Sequence, residues 1–190
     1  MKISFSTLGC PEWSWIEITA MAKDLGYDGI EIRGLGQEIR AARAKPFTNE
    51  ALPETLDRLK TLGIELTCFS SDCCLKIEDR RQEIMSEGFE YIDLASRAGV
   101  PYVRVLGDLA PQAEGEVDDQ VVLTALRSLA DYASWRKVKL LIETNGVYAD
   151  SSRLAALMKN LAHDSVRVLW DIHHPYRFMN EDVEETYSRL

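Results

Sequence analysis

The stretch Leu25-Gly26-Tyr27-Asp28-Gly29-Ile30-Glu31-Ile32-Arg33 carries the transition that decides the fold, from the end of a helix to the start of a strand. A helical pattern precedes it and stops at Gly26, and Gly29–Arg33 is a short β-rich run. Gly63 and Gly99 close later helices in the same way. Gly63 lies 37 residues after Gly26, and Gly99 lies 36 residues after Gly63. Glycine is favoured there because the residue that terminates a helix often needs a positive φ. Repeated units of this size predict parallel strands joined by right-handed helical crossovers.

Working outward from that stretch gives six strand–helix units. The predicted strands are Lys2–Thr7, Gly29–Arg33, Ile64–Phe69, Pro101–Leu106, Lys139–Glu143 and Val166–Asp171. The predicted helices are Ser14–Leu25, one capped by Thr48 or Asn49 that ends at Gly63, Arg80–Ala98, Asp118–Trp135, one capped by Ser151 that reaches about Ala162, and a last piece that begins near Glu181. Polar residues 70–72 follow the third predicted strand.

Two α/β architectures fit this alternation, a doubly wound sheet and a (β/α)8 barrel. The turn Thr7–Glu12 is not a phosphate-binding turn, and Gly34 with Gly36 is a lone GxG. The barrel is favoured because polar residues crowd the ends of nearly every strand, where a barrel gathers its active site. A complete barrel has eight units. We therefore expect one domain over residues 1–190 that is an incomplete barrel, truncated at its C-terminal end.

Composition limits the classes of function. The formal net charge of -9 argues against general nucleic-acid binding, which draws its affinity from phosphate neutralisation. No stretch approaches the ~20 apolar residues of a membrane span, and the first residues lack the features of a signal peptide. We therefore expect a cytoplasmic protein that does not bind membranes. Its cysteines are expected to be free thiols: Cys10, Cys68, Cys73 and Cys74.

Two carboxylates end the fifth and sixth predicted strands. Glu143 follows the apolar run Leu140–Ile142, and Asp171 follows Val168–Trp170 at the matching position. Adjacent parallel strands lie roughly 4.8 Å apart, so both carboxylates can reach one divalent cation. The alternatives are a surface carboxylate for Glu143 and a turn cap for Asp171.

Other side chains near strand ends are candidates for binding a substrate. His173 and His174 follow Asp171 directly, and only one of the two is expected to face the site. Arg104 lies inside an apolar strand and can support the carboxylates or bind an anion. Glu31 and Arg33 share one face of the second strand, as an ion pair or as substrate ligands. Trp13 can stack on a sugar face, although core packing is the commoner role.

These segments resemble the xylose isomerase-like TIM barrels, specifically the sugar phosphate isomerase/epimerase group. The resemblance rests on the opening strand Lys2–Thr7, on Leu25–Arg33, on Leu141–Asn145 and on Leu169–Pro175. It implies one divalent metal, manganese, magnesium, cobalt or zinc, with Glu143 and Asp171 as the first two of four ligands. It also implies that His174 is a catalytic residue that contacts the substrate beside the metal. The last two ligands would lie beyond Leu190.

The resemblance implies proton transfer next to a carbonyl of a ketose, sugar phosphate or keto acid, through an enediolate. Glu143 would then be both ligand and acid–base group, and the metal would be weakly held. A binding or assembly module that lost catalysis, a short enzyme that borrows ligands from a partner chain, and an inosose dehydratase-like lyase stay open as alternatives. An endonuclease IV-like enzyme is disfavoured, since Phe69–Asp72 contains no histidine. Open sheet edges predict a homo-oligomer.

Overall fold

The computed structural model describes residues 1–190 as an alternation of six strands and seven α-helices. The strands are β1 (Ser4–Ser6), β2 (Gly29–Ile32), β3 (Glu65–Cys74), β4 (Tyr102–Leu106), β5 (Lys139–Glu143) and β6 (Val166–Leu169). The helices are α1 (Trp15–Asp24), α2 (Leu52–Leu62), α3 (Arg81–Ala98), α4 (Asp119–Arg136), α5 (Ser151–Leu161), α6 (His173–Met179) and α7 (Val183–Arg189). None of these helices combines the length and apolar character needed to cross a bilayer.

The parallel pairing predicted from the repeat is confirmed. β1 pairs with β2, β2 with β3, and β5 with β6, and each pair is parallel. The glycines that mark the repeat have the left-handed backbone expected of helix terminators, with φ values of 72° at Gly26, 71° at Gly63 and 67° at Gly99. The spacing of these glycines thus reflects a real structural period.

The chain divides into two compact units. The first unit comprises Met1–Ser71 and Glu90–Val103. Its core contains an edge-to-face series of three aromatic rings, with centroids 5.5 Å apart for Trp15 and Phe47 and 5.3 Å apart for Phe47 and Phe69. Such arrangements are favoured by the ring quadrupoles. They fix the packing of the helices and strands of this unit.

The second unit comprises Asp72–Phe89 and Arg104–Leu190. Its central strand is β5, where Leu140, Leu141 and Ile142 are all buried. A continuous apolar run of this kind is typical of a parallel strand that is covered on both faces. Helix α4 packs on β5 and on α5. The end of β5, which carries Glu143, is therefore held on a rigid element.

Strand β3 is longer than predicted. The polar sequence favours a loop at Ser70 and Ser71, but both are fully buried inside the strand. The Ser70 hydroxyl donates a hydrogen bond to the Glu31 carboxylate, which compensates the loss of hydration on burial. Further along, the backbone N–H of Leu75 donates to the carbonyl of Leu106 at 2.8 Å. These stabilising contacts come from distant parts of the chain, so the local polar sequence does not indicate that the strand continues here.

Helix α6 lies where the sequence predicts no helix, and Pro175 is its third residue. Proline is tolerated in the first turn of a helix, where its missing N–H would have no intrahelical partner. The last helix, predicted to begin near Glu181, is α7, which begins at Val183 because the Asp182 side chain accepts a hydrogen bond from the N–H of Glu185 at 2.7 Å and caps the helix.

Helix α5 is capped by Asp150 and not by Ser151. The Asp150 carboxylate accepts hydrogen bonds from the N–H groups of Ser152 and Arg153, at 2.9 and 3.0 Å. The N–H of Ser151 donates instead to the buried carboxylate of Glu181, at 2.9 Å. The start of α5 is thus tied to the segment that precedes α7.

A buried aspartate anchors the loop that follows β5. Asp108 is fully buried, forms an ion pair with Lys76 and accepts a hydrogen bond from the N–H of Val147 at 3.0 Å. The Asn145 side chain donates to the Asp108 carbonyl at 2.8 Å. Gly146, between Asn145 and Val147 in the sequence, has a φ of 58°, and a Cβ there would lie 2.3 Å from a carboxylate oxygen of Asp108. The close approach requires glycine.

Gly146→Ala should destabilise the second unit more than an alanine at another positive-φ glycine. Gly115 has a φ of 72°, but a Cβ there meets nothing within 4 Å. We expect Gly146→Ala to lower the free energy of unfolding by about 2 kcal/mol more than Gly115→Ala, since overpacking costs ~1–3 kcal/mol. Urea denaturation measures both. Equal losses would show that the Asp108 contact does not constrain the loop.

Candidate metal centre

Three side chains of the second unit converge beyond the ends of β5 and β6. Glu143 is the last residue of β5, Asp171 follows β6, and His174 lies in the first turn of α6. Each offers one ligand atom, and these atoms lie within 4.8 Å of one another. The structure therefore brings together the two carboxylates proposed as metal ligands and the histidine proposed as catalytic.

The imidazole of His174 is held in one tautomer by the backbone. Its Nδ1 lies 2.9 Å from the carbonyl oxygen of Thr144. A carbonyl only accepts hydrogen bonds, so Nδ1 carries the proton and donates. In the neutral ring the lone pair is then on Nε2, which lies 3.7 Å from Oδ2 of Asp171. Metal-binding histidines commonly have their second nitrogen fixed in this way.

Glu143 is oriented by a buried ion pair. The Nε of Arg104, on β4, lies 2.9 Å from Oε2 of Glu143, and the two side chains are 11% and 13% exposed. The guanidinium is always charged and compensates the carboxylate in this poorly hydrated place. The other oxygen, Oε1, lies 3.9 Å from Nδ1 of His174. Arg104 thus fixes the carboxylate beside the imidazole.

Asp171 divides its two oxygens between the backbone and the site. Oδ1 accepts hydrogen bonds from the N–H groups of His173 and His174, at 2.8 and 3.2 Å. Oδ2 is the oxygen near His174 Nε2, and the side chain is 36% exposed. Solvent or a small molecule can therefore reach this side of the site.

The donor set fits a divalent cation. Two carboxylates and one imidazole nitrogen suit zinc, manganese or cobalt, and carboxylate oxygens also suit magnesium. Each of the three side chains is oriented by a hydrogen bond or ion pair described above, as is usual around metal ligands. Three protein ligands would leave positions for water or substrate.

The predicted substrate-binding residues are distributed between the two units. Arg104 contacts Glu143 directly in the site. His173 contributes its backbone N–H to Asp171, but its side chain is exposed, with its ring centroid 6.0 Å from that of Phe178. Its neighbour His174 is the histidine whose ring faces the carboxylates.

Trp13, Glu31 and Arg33 belong to the first unit. Trp13 lines an apolar pocket with Phe5, Cys10 and Tyr27. Glu31 binds the Ser70 hydroxyl, and the N–H of Arg33 donates to Oγ1 of Thr7 at 2.9 Å. Their roles in binding a substrate stay predictions.

Sequence reasoning missed Thr144, whose carbonyl fixes the His174 tautomer, and Asp108, which anchors the following loop. The signal for Thr144 was its place directly after the strand-ending glutamate. Tyr148, in the same loop, donates a hydrogen bond to Asp119 at 2.8 Å. Burial is the main cause that raises the pKa of the Tyr148 phenol, and the hydrogen bond to Asp119 raises it further. The phenol therefore stays a neutral donor.

A model of the family described as xylose isomerase-like TIM barrel matches residues 19–189. The chain belongs to the xylose isomerase-like TIM barrel family. The resemblance inferred from its strand segments is therefore confirmed. No protein with a curated function matches the chain in sequence.

Solved structures of this fold superpose on nearly the whole chain. A xylose isomerase-like TIM barrel protein from Mycobacterium smegmatis in complex with magnesium has a TM-score of 0.79 at 17% identity, over 99% of this chain and 71% of its own. D-psicose 3-epimerase with D-tagatose from Clostridium cellulolyticum H10 has a TM-score of 0.78 at 16% identity, over 100% and 69%. The IOLI protein with a bound zinc atom has a TM-score of 0.77 at 18% identity, over 97% and 67%. The predicted TIM-barrel fold, with six units in this chain, is confirmed.

Arg104→Met should destabilise this TIM-barrel chain through the buried Glu143 carboxylate. Removing one partner of a buried ion pair costs ~3–5 kcal/mol, so we expect a loss of about 3 kcal/mol in the free energy of unfolding. Glu143→Gln in the same chain should recover much of that loss. The matched control is Lys2→Met, which removes an exposed ion pair with Glu65 and should leave stability unchanged. Additive effects of the Arg104 and Glu143 changes would contradict the coupling.

Proposed function

We propose that this chain carries the divalent-metal site of a sugar isomerase or epimerase, with Glu143, Asp171 and His174 holding the ion. The convergence of their ligand atoms within 4.8 Å supports the proposal most directly. Proteins of the same fold support it too, since D-psicose 3-epimerase has that activity and two others were crystallised with magnesium or zinc. The substrate would be a small polar ketose, sugar phosphate or keto acid.

His174 has a different role in this proposal from the one that the resemblance implies. The resemblance makes it a substrate contact beside the metal. In the structure its Nδ1 is committed to the Thr144 carbonyl, and its Nε2 faces Oδ2 of Asp171 at 3.7 Å. A neutral imidazole with its free nitrogen beside a carboxylate is suited to metal binding. We therefore assign His174 as the third ligand.

The metal ion and the residues that surround it would have separate parts in the proton transfer. A bound divalent ion supplies Lewis acidity, which polarises a carbonyl and acidifies the neighbouring C–H group. The Glu143 carboxylate, which Arg104 fixes at 2.9 Å, would take up that proton and deliver it to the neighbouring carbon, while the hydroxyl proton moves to the former carbonyl oxygen, as isomerisation requires. Inverting a carbon, as an epimerase does, requires a second acid–base group on the opposite face of the substrate. Arg104 keeps the carboxylate plane fixed during the transfer. The exposed side of Asp171 admits the substrate.

Metal binding tests the ligand assignment. Wild-type protein should bind one Mn²⁺ ion, and Asp171→Asn should weaken that affinity at least about tenfold, because an amide is a poorer ligand for this cation than a carboxylate. The control is Asp131→Asn, since Asp131 also lies beside a histidine, 3.2 Å from Nε2 of His163, but has no third donor. Titration followed by the EPR signal of free Mn²⁺ measures both. Equal affinities for the two variants would reject the ligand assignment.

Hydrogen exchange tests the reaction. With Mn²⁺ in D₂O, the wild-type protein should incorporate deuterium next to the carbonyl of a responsive ketose, as followed by proton NMR across a panel of ketoses. EDTA should abolish incorporation and added Mn²⁺ should restore it. Glu143→Gln should lose it, because an amide cannot accept the proton. Tight Mn²⁺ binding without exchange on any ketose would instead favour the binding-module alternative.

A further inference from the structure

We infer that Thr144 is the positioning residue of the metal centre. It directly follows one ligand, Glu143, and forms hydrogen bonds with the other two, Asp171 and His174. It is fully buried. Its backbone N–H donates to the carbonyl of Leu169, at the end of β6, at 3.0 Å. The inference rests on the proposed function, and it adds a residue that orients the ligands without itself binding the ion.

The hydroxyl of Thr144 holds the backbone of Asp171 through two hydrogen bonds. Oγ1 accepts from the Asp171 N–H at 2.8 Å and donates to the Asp171 carbonyl at 3.2 Å. One side-chain atom thus satisfies both main-chain polar groups of a ligand residue. These main-chain groups are partly buried, and leaving them without partners costs free energy, so the segment would shift if the hydroxyl were removed.

The carbonyl of Thr144 holds the third ligand. It accepts the hydrogen bond from His174 Nδ1 at 2.9 Å and thereby selects the tautomer in which Nε2 carries no proton and can bind a metal ion. Because the hydroxyl and the carbonyl belong to one residue, a shift of Asp171 relative to Thr144 also changes the contact with His174. The hydroxyl therefore controls the spacing of Glu143, Asp171 and His174 as a set.

A valine at position 144 tests this role because it keeps the shape of threonine and lacks the hydroxyl. Thr186 provides the matched control. It is 1% exposed, and its Oγ1 donates at 2.9 Å to Oε2 of Glu181, which is not one of the three ligands. Thr144→Val and Thr186→Val should both lower the free energy of unfolding in urea. Only the change at position 144 should alter the metal centre.

The measurement is Mn²⁺ affinity for wild type, Thr144→Val, Thr144→Ser and Thr186→Val. Loss of groups that orient metal ligands typically lowers affinity ~10–100-fold, so we expect a fall of that size for Thr144→Val. Thr144→Ser, which keeps the hydroxyl, should bind within about threefold of wild type, and Thr186→Val should bind as wild type does. Should Thr144→Val fail to fold, Thr144→Ala removes the same hydroxyl with a smaller side chain.

Unchanged Mn²⁺ affinity in Thr144→Val would overturn the inference, whatever happens to stability. A second readout needs no metal. In the metal-free wild type, ¹⁵N NMR should show His174 protonated at Nδ1, and Thr144→Val should show a mixture of tautomers. If the wild type binds no Mn²⁺, the proposed function fails, and the tautomer decides separately whether Thr144 orders the site. If His174 then has the same single tautomer in Thr144→Val as in the wild type, the positioning role is overturned.

Discussion

The ion pair between Arg104 and Glu143 is the interaction on which the site depends. A carboxylate at the end of an apolar buried strand is costly unless a charge or a cation compensates it. Arg104, from β4, supplies that charge at 2.9 Å. With one oxygen of Glu143 engaged, the other lies next to the imidazole of His174, which the backbone has already oriented. The arrangement is preorganised, so little reorganisation is needed to bind a cation.

Neighbouring groups of the second unit reinforce this arrangement. Asp108 and Lys76 form an ion pair beside the loop that follows β5, and Gly146 permits the close approach. Thr144 then links the ends of β5 and β6 through its N–H, hydroxyl and carbonyl groups. Each of these contacts joins segments distant in sequence. Together they hold the loop after β5 and the ends of β5 and β6 in place beside the ligands.

The sequence alone predicts much of this fold. The glycine spacing identifies the parallel strand–helix repeat, and β5 is predicted with its observed bounds, because its apolar run has a sharp end at Glu143. The adjacency of parallel strands is enough to pair Glu143 with Asp171. The extension of β3 and helix α6 could not be predicted, since buried serines and an early proline look like loop residues. The tautomer of His174 depends on a carbonyl thirty residues earlier in the chain.

Anomalous diffraction from crystals soaked in Mn²⁺ tests the central claim most directly, because it locates the ion and its ligands together. The account predicts a single strong manganese peak bound by Glu143, Asp171 and Nε2 of His174, with Nδ1 of His174 still bonded to the carbonyl of Thr144. A fully soaked crystal with no peak there, or with manganese bound to other residues, would contradict the assignment of this cluster as the metal centre.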